Sequence, residues 1–171
     1  MQATADILGL ILPLTNTSTP VTDLTIRPAT PNDLDHLVAW NAAMAAETED
    51  KTLDRAVLTA GVRGVLDEPR RGFYLIAERD GEPVGSLLVT YEWSDWRNGD
   101  FFWIQSVYVV ESARRSGVFR ALYAAVEQRA REAGAVGMRL YVEHENHRAQ
   151  KTYEGLGMQR CDYHMYEVEF G

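Results

Sequence analysis

The chain has 171 residues, 46% hydrophobic and 25% charged, proportions that suit one globular domain with a proper core. Its net charge of -8 argues against nucleic acid as the main partner, because such binders are usually basic. A single cysteine, Cys161, excludes an internal disulfide and a cysteine-built metal cage and fits a reducing cytoplasm, the expected location.

Residues 1–22 read as an N-terminal extension, with residues 23–171 as the domain. The apolar run ILGLILPL (7–14) has eight residues, no Lys or Arg before it, and Pro13 inside it. It is too short to span a membrane and lacks the basic start of a secretory signal. LTIRPA (24–29) alternates as a strand. TPNDLDHLVAWNAAMAAE (30–47) opens on Thr30 as N-cap and Pro31 at the first helical position, with Leu34, Leu37, Val38 and Ala42 at helical spacing. LDRAVLTAGVRGVLDEP (53–69) predicts a second helix stopped by Pro69. GFYLIAE (72–78) and VGSLLVTYEW (84–93) predict a hairpin about Asp80-Gly81. FFWIQSVYVV (101–110) follows a turn at Asn98-Gly99. GVFRALYAAVEQRAREAG (117–134) is a helix with Gly134 at its end, GMRLYVE (137–143) a strand, NHRAQKTYEGLG (146–157) a short helix, and QRCDYHMYEVEF (159–170) a last strand. The order β-α-α-β-β-β-α-β-α-β predicts an α/β (α+β) fold with a mixed, mostly antiparallel central sheet and helices on both faces. The strand–helix–strand unit at 101–143 is its parallel element, and ligands of such sheets bind where neighbouring strands part.

The loop at the start of the third long helix reads ARRSGVFR (113–120). The first N–H groups of a helix lack partners and carry positive potential, so an anion is stabilised there. Gly117 keeps a Cβ out of the approach, and Arg114, Arg115 and Arg120 offer forked donors for phosphate. Residues 114–131 hold five arginines against the single acid Glu127. The local reversal of a net negative chain points to a phosphate-bearing ligand. Neither Gly-Lys-Ser/Thr nor G-x-G-x-x-G is present, and an arginine pair in a solvated turn is the bland alternative.

The run IQSVYVVESARRSGVFRALYAAVEQRAREAG, with LYVEHENHRAQKTYEGLGM after it, resembles the GNAT superfamily of acetyl-CoA-dependent N-acetyltransferases. The resemblance covers about residues 24–168 and is strongest over 104–158. The family loop is Gln/Arg-x-x-Gly-x-Gly/Ala; Arg114 and Gly117 match, and Phe119 departs. The resemblance implies that backbone N–H groups from Arg115 through Ser116, Gly117, Val118 and Phe119 to Arg120 hold the CoA pyrophosphate. Phe119 then has to turn away from the pyrophosphate, into the core. Main-chain groups near Val107 and Val109 are implied to pair with pantetheine.

Asn146, Ala149, Tyr153 and Gly157 resemble the family's Asn-x-x-Ala-x-x-x-Tyr-x-x-x-Gly pattern. The plain reading is a capped helix; the functional one adds Tyr153 beside the thioester sulfur as general acid for a departing thiolate, with Asn146 ordering loop and cofactor. For the base, some relatives carry Glu where this chain has Gln105, a residue that cannot take a proton and is left to line the acceptor site. Glu92, near the end of the adjoining strand, is the preferred base, with Glu47, Glu49 and Glu143 as alternatives.

In the superfamily the segment MAAETEDKTLD (44–54) lines the acceptor site. Its acids Glu47, Glu49, Asp50 and Asp54 would draw a cationic amine, and Trp93 and Trp96 offer faces for a cation. The alternative for the tryptophans is core or dimer packing, which leaves a homodimer as an expectation. No metal is expected, because the four histidines show no ligand spacing. The expected function is direct acetyl transfer from acetyl-CoA to a primary amine, preferably a small cationic amine or amino-acid derivative. The alternatives are a peptide or protein amine as acceptor, or a non-catalytic acyl-CoA-binding regulatory module.

Overall fold

The computed structural model describes residues 23–170; the expected extension at 1–22 lies outside them. Five strands, β1 (Leu24–Pro28), β2 (Phe73–Arg79), β3 (Glu82–Ser94), β4 (Gly99–Val109) and β5 (Gly137–Leu140), form one sheet in sequence order. The first four pair antiparallel and β5 runs parallel to β4. The helices are α1 (Leu34–Glu49), α2 (Arg55–Asp67), α3 (Val118–Glu132) and α4 (His147–Glu154). Short 3-10 turns, Pro31–Asp33 and Glu111–Ala113, precede α1 and the α3 loop. This is the mixed sheet that the pattern predicts.

Both faces of the sheet are covered, and β2 shows how. Leu75 and Ala77 pack with Leu122, Val126 and Ala130 of α3, whereas Tyr74 and Ile76 pack with Leu37, Val38 and Trp40 of α1 and Val62 of α2. Successive side chains of a strand point to opposite faces, so a strand covered on both sides is apolar throughout. Asp80 and Gly81 both have positive φ, 53° and 83°, the conformation that an Asp-Gly hairpin turn requires. Helix α2 begins at Asp54, whose carboxylate accepts from the N–H groups of Ala56 and Val57 at 2.8 and 3.0 Å. That cap satisfies two of the donors orphaned at a helix start.

Two expectations fail. β5 stops at Leu140 rather than Glu143, and residues 159–170 form no strand. The side chains of Tyr163, Tyr166 and Phe170 stand in solvent, 81%, 91% and 92% exposed. Alternation reports only that a segment is able to pair; a strand also needs a neighbouring edge. Here the apolar phase slips as well, from Cys161, Tyr163 and Met165 to Tyr166, Val168 and Phe170. One face cannot take all six without a bulge.

The start of α1 is tied to the sheet by a partly buried ion pair. Arg27 of β1 donates to both carboxylate oxygens of Asp33 at 2.8 Å and to Glu78 of β2 at 2.8 Å. Asp33, 4% exposed, also accepts from the N–H and hydroxyl of Thr30 at 2.7 and 2.9 Å. Hydrogen bonds from Arg27, ahead of those from Thr30, hold its carboxyl down to about 2 against the opposing cost of burial. A carboxyl lowered in the folded state adds stability that is complete above its unfolded pKa, about 4, and is lost as the pH falls through the folded value. A shift of this size corresponds to roughly 2 kcal/mol. Asp33→Asn should therefore lower the unfolding free energy by about 1–3 kcal/mol at pH 7, measured by urea titration. The gap to the wild type should close between about pH 4 and pH 2. A gap that stays constant over that range would show that the carboxylate charge does not supply the stability.

Candidate active site

Strand β4 organises the site. It pairs with β5 only from Phe101–Gly137 to Ile104–Leu140. Beyond that point, among the described residues, its backbone from 105 to 109 has a partner strand on the β3 side alone. At the same place the β3 pairing slips: Val89 faces Ile104 and Leu88 faces Ser106, so Gln105 is the extra residue of a β-bulge. The bulge resets the alternation. Phe102 and Ile104 before it, and Val107 and Val109 after it, all pack toward α3, while Tyr108 packs toward α1.

A cleft of about 410 Å³ opens where β4 loses β5. Val107 and Val109 line one wall, the loop Ala113–Arg120 and the first turn of α3 the end, and Arg148, Ala149, Thr152 and Tyr153 of α4 the opposite wall. Its lining holds four arginines, 114, 115, 120 and 148, and no acid. A hollow of about 500 Å³ on the outer side of α4 is lined by His147, Arg148, Lys151 and Thr152. One helix face cannot enclose a ligand, so the cleft is the better candidate.

The loop is strained and pinned. Arg115 and Gly117 are left-handed, with φ of 63° and 87°. Gly117 is the N-cap of α3, its carbonyl accepts from Ala121 N–H, and no side chain caps the helix. A Cβ on Gly117 would meet nothing within 4 Å, so glycine is required here by its φ and the space beside it is open. The Ser116 hydroxyl donates to the Ala113 carbonyl at 2.6 Å and accepts from Arg79 at 2.8 Å. Ser116 therefore holds the loop in place by its side chain. Phe119 packs against the α3-side core, the direction expected of its ring, and also lines the cleft. Its ring meets Tyr123 and, edge to face at 5.8 Å, Tyr153.

Helix α4 brings Tyr153 to the cleft. Asn146 is its N-cap, accepting from Ala149 N–H at 3.0 Å, and Gln150 donates to the carbonyls of Glu143 and His144. The Asn146 side chain thus orders the turn into α4, as expected. Burial pushes the Tyr153 hydroxyl up. Among the described residues no group accepts from it, so at neutral pH it stands as a protonated donor facing the cleft.

The expected acceptor residues are not brought together. Glu92 lies opposite Phe101, six residues or about 20 Å along β4 from Val107. Its Oε1 is held by Arg139 at 2.7 Å, and Arg139 itself lies over the Phe101 ring. Glu92 is corrected from base to ion-pair partner. Trp93 sits beyond it, opposite Asp100, and is 61% exposed, with Trp96 at 86%; neither is core and neither lines the cleft. Gln105 donates to Thr90 at 3.0 Å across the bulge. Glu49 pairs with Lys51 at 2.6 Å, and Asp54 is spent as the cap of α2. Only Glu47 reaches the site, by an ion pair to Arg114 at 2.7 Å.

Several contributors went unread. Arg148 and Thr152 share a face of α4 with Ala149 and Tyr153, which helical spacing counted from the Asn146 cap would have found. Arg79, which pins the loop from β2, lies 37 residues away from Ser116 and carries no local signal. The Gln105 bulge carries none either.

Residues 34–158, well over half of the chain, match the model of the acetyltransferase (GNAT) family. No curated protein matches. The solved structure of a possible acetyltransferase from Clostridium difficile 630 is 47% identical, with a TM-score of 0.81, over 86% of this chain and 97% of its own. An aminoglycoside N-acetyltransferase in complex with CoA shares the fold at 18% identity and a TM-score of 0.72, over 86% of this chain and 95% of its own. So does a ribosomal-protein-alanine N-acetyltransferase from Brucella melitensis biovar Abortus 2308, at 18% identity and 0.69, over 86% of this chain and 100% of its own. Sheet, bulged strand, arginine-lined cleft and family match agree: the chain belongs to the acetyltransferase (GNAT) family and is an N-acetyltransferase.

Proposed function

We propose that the cleft binds acetyl-CoA and that the protein transfers the acetyl group directly to a primary amine. The observation that carries this reading is the cleft itself. It joins the uncapped start of α3, four arginines, the half-paired edge of β4 and the free hydroxyl of Tyr153. Acetyl-CoA supplies the activated thioester; the protein's residues do the rest. The N–H groups of Val118, Phe119 and Arg120, with Arg115 and Arg120 side chains, bind the pyrophosphate. Main-chain groups near Val107 and Val109 on the half-paired edge pair with the pantetheine amides and set its depth, the Val109 carbonyl once Arg114 has left it. Tyr153 gives its proton to the sulfur as the carbon–sulfur bond breaks, and regains one from solvent.

Among the described residues no carboxylate lines the cleft, and the amine is taken to lose its proton to water before attack. The preferred acceptor is a small cationic amine, drawn by Glu47 at the edge of the site. The reading of Trp93 and Trp96 as cation faces is dropped with their position.

Gly117→Val should weaken CoA binding by about tenfold or more, roughly 1.4 kcal/mol, because a β-branched residue cannot hold a φ of 87°. Calorimetric titration measures it, and unchanged affinity would remove the loop from the site. Tyr153→Phe should leave CoA affinity intact and lower kcat by about 10²–10⁴-fold; full kcat would remove Tyr153 from the chemistry. If water takes the amine's proton, kcat/KM for an alkyl amine should climb with pH toward the amine's own pKa, about 10. Burial pushes the Tyr153 hydroxyl up, so it gives up its proton later than a free tyrosine would. A plateau that begins near neutral pH would reveal a protein base.

A further inference from the structure

The ion pair between Glu47 and Arg114 joins the two halves of the site. Arg114 belongs to the cleft and Glu47 to the last turns of α1, at the segment expected to meet the acceptor. Arg114 is engaged by three neighbours in the structure. Its Nη2 donates to Glu47 at 2.7 Å, its Nε to the carbonyl of Val109 at 2.9 Å, and its guanidinium lies over the ring of Tyr108, 5.6 Å from the centroid. Tyr108 in turn donates to the same carboxylate at 3.4 Å and stacks on Trp40 of α1. Two opposite charges at the rims of two binding regions are therefore spent on each other, and the guanidinium also covers one carbonyl of the free edge of β4.

We propose that this contact is a latch that couples the two substrates, and that Glu47 is the residue that sets the coupling. With the latch closed, neither Arg114 nor Glu47 offers net charge to a ligand. A phosphate-bearing ligand in the cleft competes with Glu47 for Arg114. When it wins, Arg114 leaves the Val109 carbonyl, and Glu47 keeps only the Tyr108 hydroxyl. The carboxylate then faces the acceptor side as an uncompensated negative charge, ready for a cationic amine. By linkage the reverse holds: an amine on Glu47 releases Arg114 to the anion. The two substrates thus favour each other through this ion pair, and acetyl-CoA binding prepares the acceptor site. The inference rests on the proposed assignment of the cleft to CoA. Because both side chains are partly exposed, 39% and 46%, the effect is modest, of the order expected for an exposed ion pair.

The test is a double-mutant cycle on CoA affinity, by calorimetric titration of the wild type, Glu47→Gln, Arg114→Gln and the double variant, each first checked for an unchanged melting temperature. The latch requires Glu47→Gln to bind CoA about two- to fivefold more tightly than the wild type, since its Arg114 is free. It requires the same substitution to have no effect in the Arg114→Gln background. A gain that persists without Arg114 would be general relief of negative charge and would overturn the latch. So would an unchanged or weakened affinity in Glu47→Gln while the wild type binds CoA. If the wild type does not bind CoA at all, the assignment of the cleft fails, and the latch with it.

Discussion

Strand β4 has a hydrogen-bonded neighbour on both edges as far as Ile104 and on one edge after it. An unpaired backbone group away from water costs about as much as a lost hydrogen bond, so a free edge inside a sheet calls for a ligand or solvent. Everything at the site is arranged around that edge. The bulge at Gln105 turns Val107 and Val109 onto the α3 side. The 3-10 turn after Val109 delivers the chain to the start of α3, and α4 closes the cleft from the other flank. The parallel pairing of β4 with β5 is four residues long, and its shortness is what leaves the edge available.

The charge distribution follows a similar economy. In a chain of net charge -8, the charged residues that line the cleft are all arginines, and most of the acids expected at the acceptor site are held elsewhere. Asp54 caps α2, Glu49 pairs with Lys51, and Glu92 pairs with Arg139. Glu47 is the exception, and it is the acid that reaches a cleft arginine. Charges counted along a segment overstate what a ligand meets, because a helix cap or an ion pair uses the charge before any ligand arrives. The run of acids at 47–54 reads as a cation-attracting segment in one dimension and is mostly structural in three.

Positions that depend on local geometry were legible in the residues. Asp80-Gly81 marks the hairpin because both residues take positive φ there. Gly117 marks the helix start because its backbone is left-handed, and Asn146 marks α4 because its side chain reaches the N–H three residues on. The α3 and α4 faces follow from the 3.6-residue period, so Tyr153 and Ala149 on one face were readable. The final strand was misread because alternation at 161–170 describes a capacity to pair and contains no information about an available edge. Phe119 packs on the core and lines the cleft at once, a double placement that hydrophobicity alone does not specify.

The sequence by itself determined the class of fold and the order of its elements up to α4, and it singled out the arginine-rich loop and the tyrosine that line the cleft, since each rests on turns, caps and periods that act over a few residues. The tertiary structure alone decided which of those residues meet. It placed Arg79 under the loop from 37 residues away and put Glu92 and Trp93 far along the sheet from the cleft. It slipped one residue of register at Gln105 and set Glu47 against Arg114 across 67 positions. Such pairings follow from how strands register and helices pack, and those are properties of the assembled sheet that no short window of sequence carries.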